Sequence, residues 1–287
     1  MKQLTEEEWD IEITPKNDLF SLRLNDVWQY RDLLFLLVKR DFIAFYKQTI
    51  LGPLWFFIQP IITTVMFTVV FSKLAGISTG GVPAPLFYMA GITIWNYFAD
   101  CLTKTSTVFK DNAAMLGKVY FPRLIMPLSI VLSSLVRFGV QFILFVIVLV
   151  FFNIKGLSIT PNAVALLFPF LIVLVAAQGL GLGMIISAVT TKYRDLTFVV
   201  SFGVPLLMYA TPIIYPLAIA EAKYPSYSWI IKYNPITAVI ETFKYGFLGS
   251  GDFSWALLGY SLIITILIFL TGTVIFNRVE KNFVDTV

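Results

Sequence analysis

The stretch that decides the fold runs from Trp28 to Pro60: WQYRDLLFLLVKRDFIAFYKQ (28–48), followed at once by TILGPLWFFIQP (49–60). In the first part Arg31, Lys39, Arg40 and Lys47 stand with Asp32 and Asp41 among apolar residues at helical spacing; after it no ionisable group occurs until Lys73. A charged amphipathic helix that passes without a polar linker into an uncharged apolar run predicts an interfacial helix feeding a membrane span. Its apolar stripe, Val27, Tyr30, Leu34, Leu37 and Phe45, is interrupted by Asp41. Anionic lipid rewards lysine and arginine, not a carboxylate, so Asp41 predicts that this helix meets protein.

Composition agrees. The 287 residues are 58% hydrophobic and 13% charged, too few polar groups to cover a soluble domain of this size. The single cysteine, Cys101, excludes an internal disulfide framework, and the absence of histidine removes the commonest metal ligand and proton shuttle. Residues 1–26, with Glu6, Glu7 and Glu8 beside Lys16 and Arg23, lack the basic start and apolar core of a cleaved signal and are expected to remain as a cytoplasmic tail. A net charge of +4 spread over loops speaks against nucleic-acid binding.

Roughly 20 mainly apolar residues cross the hydrocarbon of a bilayer. Six stretches qualify, giving an all-α, polytopic architecture: an amphipathic interface helix (27–48), a transmembrane domain (50–276) with spans at about 50–72, 85–109, 123–152, 162–190, 196–216 and 253–276, and a C-terminal tail (277–287). The second is the weakest, because it turns polar from Asp100 onward, where Asp100 and Lys104 share one helical face. Counted on alternate sides of the spans, fifteen lysines and arginines fall on one side and five on the other, with Arg137 inside a span. The positive-inside rule then puts both termini in the cytoplasm.

About 35 residues separate Pro216 from Phe253 on the outer side. Within them NPITAVIETFKYGFL (234–248) places Ile236, Val239, Ile240, Phe243 and Phe247 at helical spacing, which predicts a short helix in or dipping into the outer leaflet. Pro205, Pro212 and Pro216 predict a kink or early end of the fifth span near Thr211.

Candidate chemistry is sparse. MLGKVY (115–120) lacks the earlier glycine and the following Ser or Thr of a phosphate-binding loop, so ATP-driven work needs a partner. GLGLG (179–183) lies inside an uncharged span, where glycines four apart mark close helix packing. Glu221, Glu241 and Asp252 are the only outer-side carboxylates, none adjacent and none with a histidine, which leaves a membrane glycosyltransferase as a minor alternative. Arg137 costs about 2.5 to 3.5 kcal/mol at a helix centre. It has two readings: pairing with a polar neighbour such as Gln141, or holding an anionic group in transit. The loop KDNAAMLGKVYFPR (110–123) is partly amphipathic and suits a small docking helix.

Taken in order, YRDLLFLLVKRDF (30–42), YKQTILGPLWFFIQP (46–60), GKVYFPR (117–123) before LIMPLS (124–129), YRDL (193–196), TPIIYP (211–216) and YNP (233–235) resemble the polysaccharide-exporting ATP-binding-cassette permeases over nearly the whole chain. The likeness is nearest to those exporting lipid-linked O-antigen, with capsule and teichoic-acid exporters as near relatives. It implies a homodimeric permease in the cytoplasmic membrane that works with two copies of a separate ATPase, which binds ATP and Mg. It further implies an undecaprenyl-linked polysaccharide as substrate, and no cofactor in this chain. By position, the resemblance makes the helix bearing Arg31, Lys39, Arg40 and Asp41 the surface resting on the ATPase. It makes Lys110, Asn112, Leu116, Lys118, Tyr120 and Phe121 the coupling segment, and Pro212, Pro216, Asn234 and Pro235 the outer gate. Channel aromatics fall at Trp55, Phe56, Tyr209 and Tyr215. A permease for drugs or other lipids is the alternative within the same class.

Overall fold

The computed structural model describes residues 24–47, 49–116, 121–157, 159–193 and 195–283, and every regular element among them is helical. A short α1 (Leu24–Gln29) and α2 (Arg31–Tyr46) precede α3 (Trp55–Phe67), which opens with a 3-10 turn at Gly52–Leu54 and continues as a π-helix over Thr68–Leu74. There follow α4 (Ala84–Ser106), the small helices α5 (Val108–Asp111) and α6 (Ala113–Leu116), the long α7 (Ile125–Ile154) and α8 (Phe168–Lys192), itself led in by a 3-10 turn at Ala163–Leu167. The chain ends with α9 (Leu196–Leu207) and a 3-10 turn at Met208–Ala210, then α10 (Leu217–Lys223), α11 (Ser228–Lys232), α12 (Pro235–Leu248) and α13 (Trp255–Phe283).

Four stretches are long and apolar enough to cross a membrane: Gly52–Leu74, Ile125–Ile154, Ala163–Lys192 and Trp255–Val279. The other two expected spans differ for physical reasons. Helix α4 has the length, but it is the central helix, buried on almost every side from Leu86 to Leu102, so its polar C-terminal half is answered by protein. Helix α9 with its 3-10 turn has only fifteen residues, about 22 Å at 1.5 Å per residue. It ends where the prolines require: Thr211 is extended (φ −133°, ψ 154°) and Pro212 and Pro216 cannot continue a helix.

Small residues set the closest approaches. A Cβ on Gly179 would stand 2.7 Å from Cβ of Cys101, and one on Gly183 would stand 2.5 Å from Cβ of Thr105, so this face of α8 lies directly on α4. On the opposite face Gly181 meets the backbone of Phe269, and Gly272 of α13 meets the carbonyl of Gly181. The GLGLG run therefore seats α8 between α4 and α13, as helices do in lipid, where close packing replaces the hydrophobic effect as the force between them. Gln178 fastens the second contact by donating to Ser261 (3.1 Å) and Thr265 (2.9 Å).

A second apolar cluster lies apart from the main core. Leu37 of α2 is buried with Val108, Phe109, Phe121, Ile125, Met126, Leu180, Met184 and Phe276, and Val27, Tyr30 and Leu34 lean on the same cluster. The stripe read from the sequence is thus the buried face of α2 as far as Leu37, while the side chain of Phe45 lies outside the described residues. The opposite face carries Arg31, Phe35, Leu36, Lys39 and Arg40, all exposed.

Candidate functional site

Arg137, the charge inside a span, is paired across helices. Its guanidinium reaches Asp100 of α4 at 3.1 Å and donates to Ser134 at 3.3 Å, and the same Asp100 carboxylate also receives Lys104 at 3.5 Å. Gln141, the partner considered in the sequence, bonds Asn96 of α4 instead, at 3.1 Å. Helices α4 and α7 are thereby joined by two polar rungs one turn apart. Beside them a cavity of about 350 Å³ opens, lined by Lys104 and Arg137 together with Asp41, Ser133, Phe56 and Ile130. Asp41 is held by Arg40 (2.8 Å) and accepts a long hydrogen bond from Ser133 of α7 (3.5 Å). The protein that Asp41 touches in this structure is its own chain.

At the other end of the bundle the proline-rich break and the helix after it come together. Asn234 caps α12 by accepting from the amide of Ile236 (3.3 Å) and donates to the carbonyl of Ala210 (3.1 Å), the last residue of the 3-10 turn. Lys244, 1% exposed, donates to the carbonyl of Pro212 and lies 3.5 Å above the ring of Phe87. Ile213 presses on Gly91, where a Cβ would meet it at 3.1 Å. Pro212 and Asn234, apart in sequence, are thus linked to each other's elements, with Pro235 following Asn234 at the start of α12, and beside Pro216 the Tyr215 hydroxyl donates to the carbonyl of Tyr209 (2.6 Å). Helix α12 does not float: Ile236, Val239, Ile240 and Phe243 are buried, and Phe243 joins a ring cluster with Phe142, Phe145, Phe168 and Phe247. Asn162, before α8, ties down the far end of α12 by donating to the carbonyl of Tyr245 (2.9 Å).

Glu241 is also buried. Its carboxylate accepts the Asp252 amide at 2.9 Å and closes the loop after α12, which is an anchoring task and not the open setting a catalytic acid needs. Further out Lys232 bonds Glu221 at 2.8 Å, and that hydrogen bond and charge hold its ammonium above the ordinary lysine range. Among the described residues no three carboxylate or thiol side chains converge as a metal site would require.

The four candidate channel aromatics do not behave alike. Trp55 (41%) and Tyr209 (52%) present their rings at the surface and Tyr215 is half-buried, whereas Phe56 is 5% exposed, packed on Phe42 at 6.0 Å. Phe56 therefore faces the cavity beside Arg137 and not the open flank of α3. In the coupling segment Lys110 is exposed and Asn112 half-buried, while Phe121 is buried in the α2 cluster. Lys118, Tyr120 and the side chain of Leu116 lie outside the described residues. Two features escaped the sequence: the Asp100 partner of Arg137, and the burial of Lys244. The second carried a signal, since Lys244 sits in line with the buried positions of α12.

A helical bundle with several membrane-competent helices, a charged cluster inside it and a broken helix at one end defines an integral membrane protein of the transporter kind. Residues 32–248 match the ABC-2 type transporter family, and the chain belongs to it. It is similar to a protein of Klebsiella pneumoniae named O-antigen export system permease protein RfbA, 27% identical over 255 residues that make up 88% of this chain and 94% of the relative. A second K. pneumoniae protein of that name is 27% identical over 256 residues, with the same coverage. One from Myxococcus xanthus is 26% identical over 224 residues, 77% of this chain and 82% of that protein. Family membership makes the chain a membrane transport subunit, of the kind that pairs with an ABC ATPase.

Proposed function

We propose that this chain is the permease of an exporter that moves a lipid-linked polysaccharide, of the O-antigen class, out across the cytoplasmic membrane. Two copies enclose the path and two copies of a separate ATPase drive it, binding ATP and Mg in their own sites. The observation that carries this reading is the likeness to curated O-antigen export permeases across most of both chains. Both termini face the cytoplasm, on the strength of the lysine and arginine asymmetry. The spans number six, α4 and α9 with its broken outer end joining the four that are long and apolar enough by themselves. The α5–α6 segment and the open face of α2 meet the ATPase, and the break at Thr211–Pro216 with α12 forms the outer gate. Exposed Trp55 and Tyr209, with Tyr215, line the path, since apolar faces of sugars stack on aromatic rings.

Loss of the gene tests this. An exporter of this class leaves lipid-linked glycan accumulating on the inner side of the membrane, and the purified chain brings an ATPase with it. A permease for drugs or other lipids brings the ATPase but leaves glycan at the surface unchanged. A glycosyltransferase acts without ATP and loses activity when Glu241 or Asp252 is replaced. Within an exporter, Leu116→Asp and Tyr120→Asp uncouple ATP hydrolysis from export; unchanged export in both removes that segment from the mechanism.

A further inference from the structure

The exposed faces of the long apolar helices are not alike. On α7 the outward positions within the helix, Val136, Ile143, Ile147 and Val150, are all aliphatic, which is what lipid tails meet without penalty. On α3 the exposed line is Trp55, Gln59, Ile62 and Met66, at steps of four, three and four residues, so an amide stands in its midst. At 1.5 Å per residue Gln59 lies about 10 Å beyond Gly52 and about 20 Å short of Lys73, well inside the apolar run.

Exposed hydroxyls in the other apolar helices return to their own backbone: Thr271 of α13 donates to the carbonyl of Leu267 (2.6 Å) and Ser201 of α9 to that of Phe198 (2.9 Å). Gln59 does not. Its backbone carbonyl accepts from Thr63 (2.9 Å), but its side-chain amide bonds no other described residue. In hydrocarbon that amide would stay unsatisfied, so this face of α3 meets something that forms hydrogen bonds. The neighbours say what. Where α8 lies directly on α4 and α13 it does so through glycines, whereas no glycine occurs between Gly52 and Gly76 and the line beside Gln59 is made of Trp55, Ile62 and Met66. Large side chains hold a second helix off, since close packing in lipid is built on small ones. An amide offers two donors and an acceptor, enough for two neighbouring hydroxyls of a sugar ring, and the indole one turn before it on the same face offers a flat apolar surface to the ring's C–H side.

We propose that Gln59 is a specificity residue of the export path, its amide hydrogen-bonding hydroxyls of the passing glycan while Trp55 stacks on the sugar ring. The proposal rests on the export reading given above and adds to it a contact that selects. Stacking on an aromatic ring accepts many sugars, whereas an amide at a fixed height beside the ring favours those whose hydroxyls point at it.

The test uses cells that carry the full chain with its ATPase. Gln59→Leu, which keeps the size and removes the amide, is expected to lower surface glycan roughly tenfold per folded permease, the loss of about one net hydrogen bond. Gln59→Asn, which keeps the amide, restores most of it, and the number of chains in the purified complex is the same in both. In opened membranes with ATP, Gln59→Cys reacts with a quaternary-ammonium methanethiosulfonate, which needs water at the thiol, while Ile143→Cys on the aliphatic face of α7 does not. Parent levels of surface glycan in Gln59→Leu overturn the proposal, and so does labelling of Gln59→Cys no faster than that of Ile143→Cys. Rapid disulfide formation between two Gln59→Cys chains, with the complex falling apart in Gln59→Leu, also overturns it and gives this face to a second copy. If the parent itself exports no glycan, the export reading fails and this proposal with it, a result told apart from the others by the parent alone.

Discussion

Lys244 of α12 donates to the carbonyl of Pro212, a main-chain acceptor that the sequence itself leaves without an amide. In a continuing helix that carbonyl would accept from the residue four further on, which is Pro216 and has no N–H. The ammonium supplies what the proline withholds, and Phe87 covers it from the other side. One buried cation thus holds the helix within the long outer stretch against the broken end of α9.

Replacing it is costly for that reason. Lys244→Met leaves the Pro212 carbonyl unsatisfied and the buried Glu241 without its nearby cation, a change of the kind that costs about 3 to 5 kcal/mol. The double variant Lys244→Met with Glu241→Gln removes the stranded charge and is expected to recover part of that loss. Thermal unfolding in detergent of the single and double variants measures both. If Lys244→Met melts with the parent, the contact contributes nothing to the join.

Glycine at 183 is a second discriminating position. An added Cβ would stand 2.5 Å from Cβ of Thr105 and 3.0 Å from the carbonyl of Leu102, neither of which yields without moving α4. Gly183→Ala is expected to destabilise by about 1 to 3 kcal/mol through overpacking. Gly203→Ala in α9 meets nothing within 4 Å and removes a helix-weakening residue, so its melting temperature should equal or exceed the parent's. The two variants differ only in what faces the new methyl.

These examples separate what the chain states locally from what only packing decides. The long apolar runs, the proline break and the close-packed GLGLG are local: length, a missing N–H and a missing Cβ act wherever the helix is placed. The partner of Arg137 is not, because Asp100 lies on another helix, while Gln141, one turn along the same helix, also offers an acceptor in the sequence. Nor is the fate of Lys244, which counts as an outer-side cation by residue type yet is buried against a carbonyl. Helix rotation decides Phe56 against Trp55: the two are adjacent in sequence, and the roughly 100° between neighbouring side chains sends one inward and the other out.

That rotation makes the aromatic positions separable by experiment. Phe56→Ala empties a buried site and is expected to cost about 3 to 5 kcal/mol, lowering the melting temperature. Trp55→Ala and Tyr209→Ala remove exposed rings, with stability expected to stay within about 0.5 kcal/mol of the parent. If the exposed rings line the path, export of glycan falls in these two while the amount of folded protein does not. Normal export by both variants together takes them out of the channel wall.

The number of crossings is open to a direct test, because Cys101, the single thiol, is wholly buried and leaves a quiet background. Single cysteines placed at Ser78 before α4, at Leu157 after α7 and at Ser226 between α10 and α11 lie on the outer side in a six-span arrangement. Those at Asp111 after α4 and at Lys192 closing α8 lie inside. A membrane-impermeant maleimide added to intact cells should label the first three and spare the other two, which react only after the membrane is opened. If α4 did not cross, Ser78 and Asp111 would label on the same side. If α9 with its broken end did not cross, Lys192 and Ser226 would share a side instead. The pattern of labels therefore assigns α4 and α9 independently.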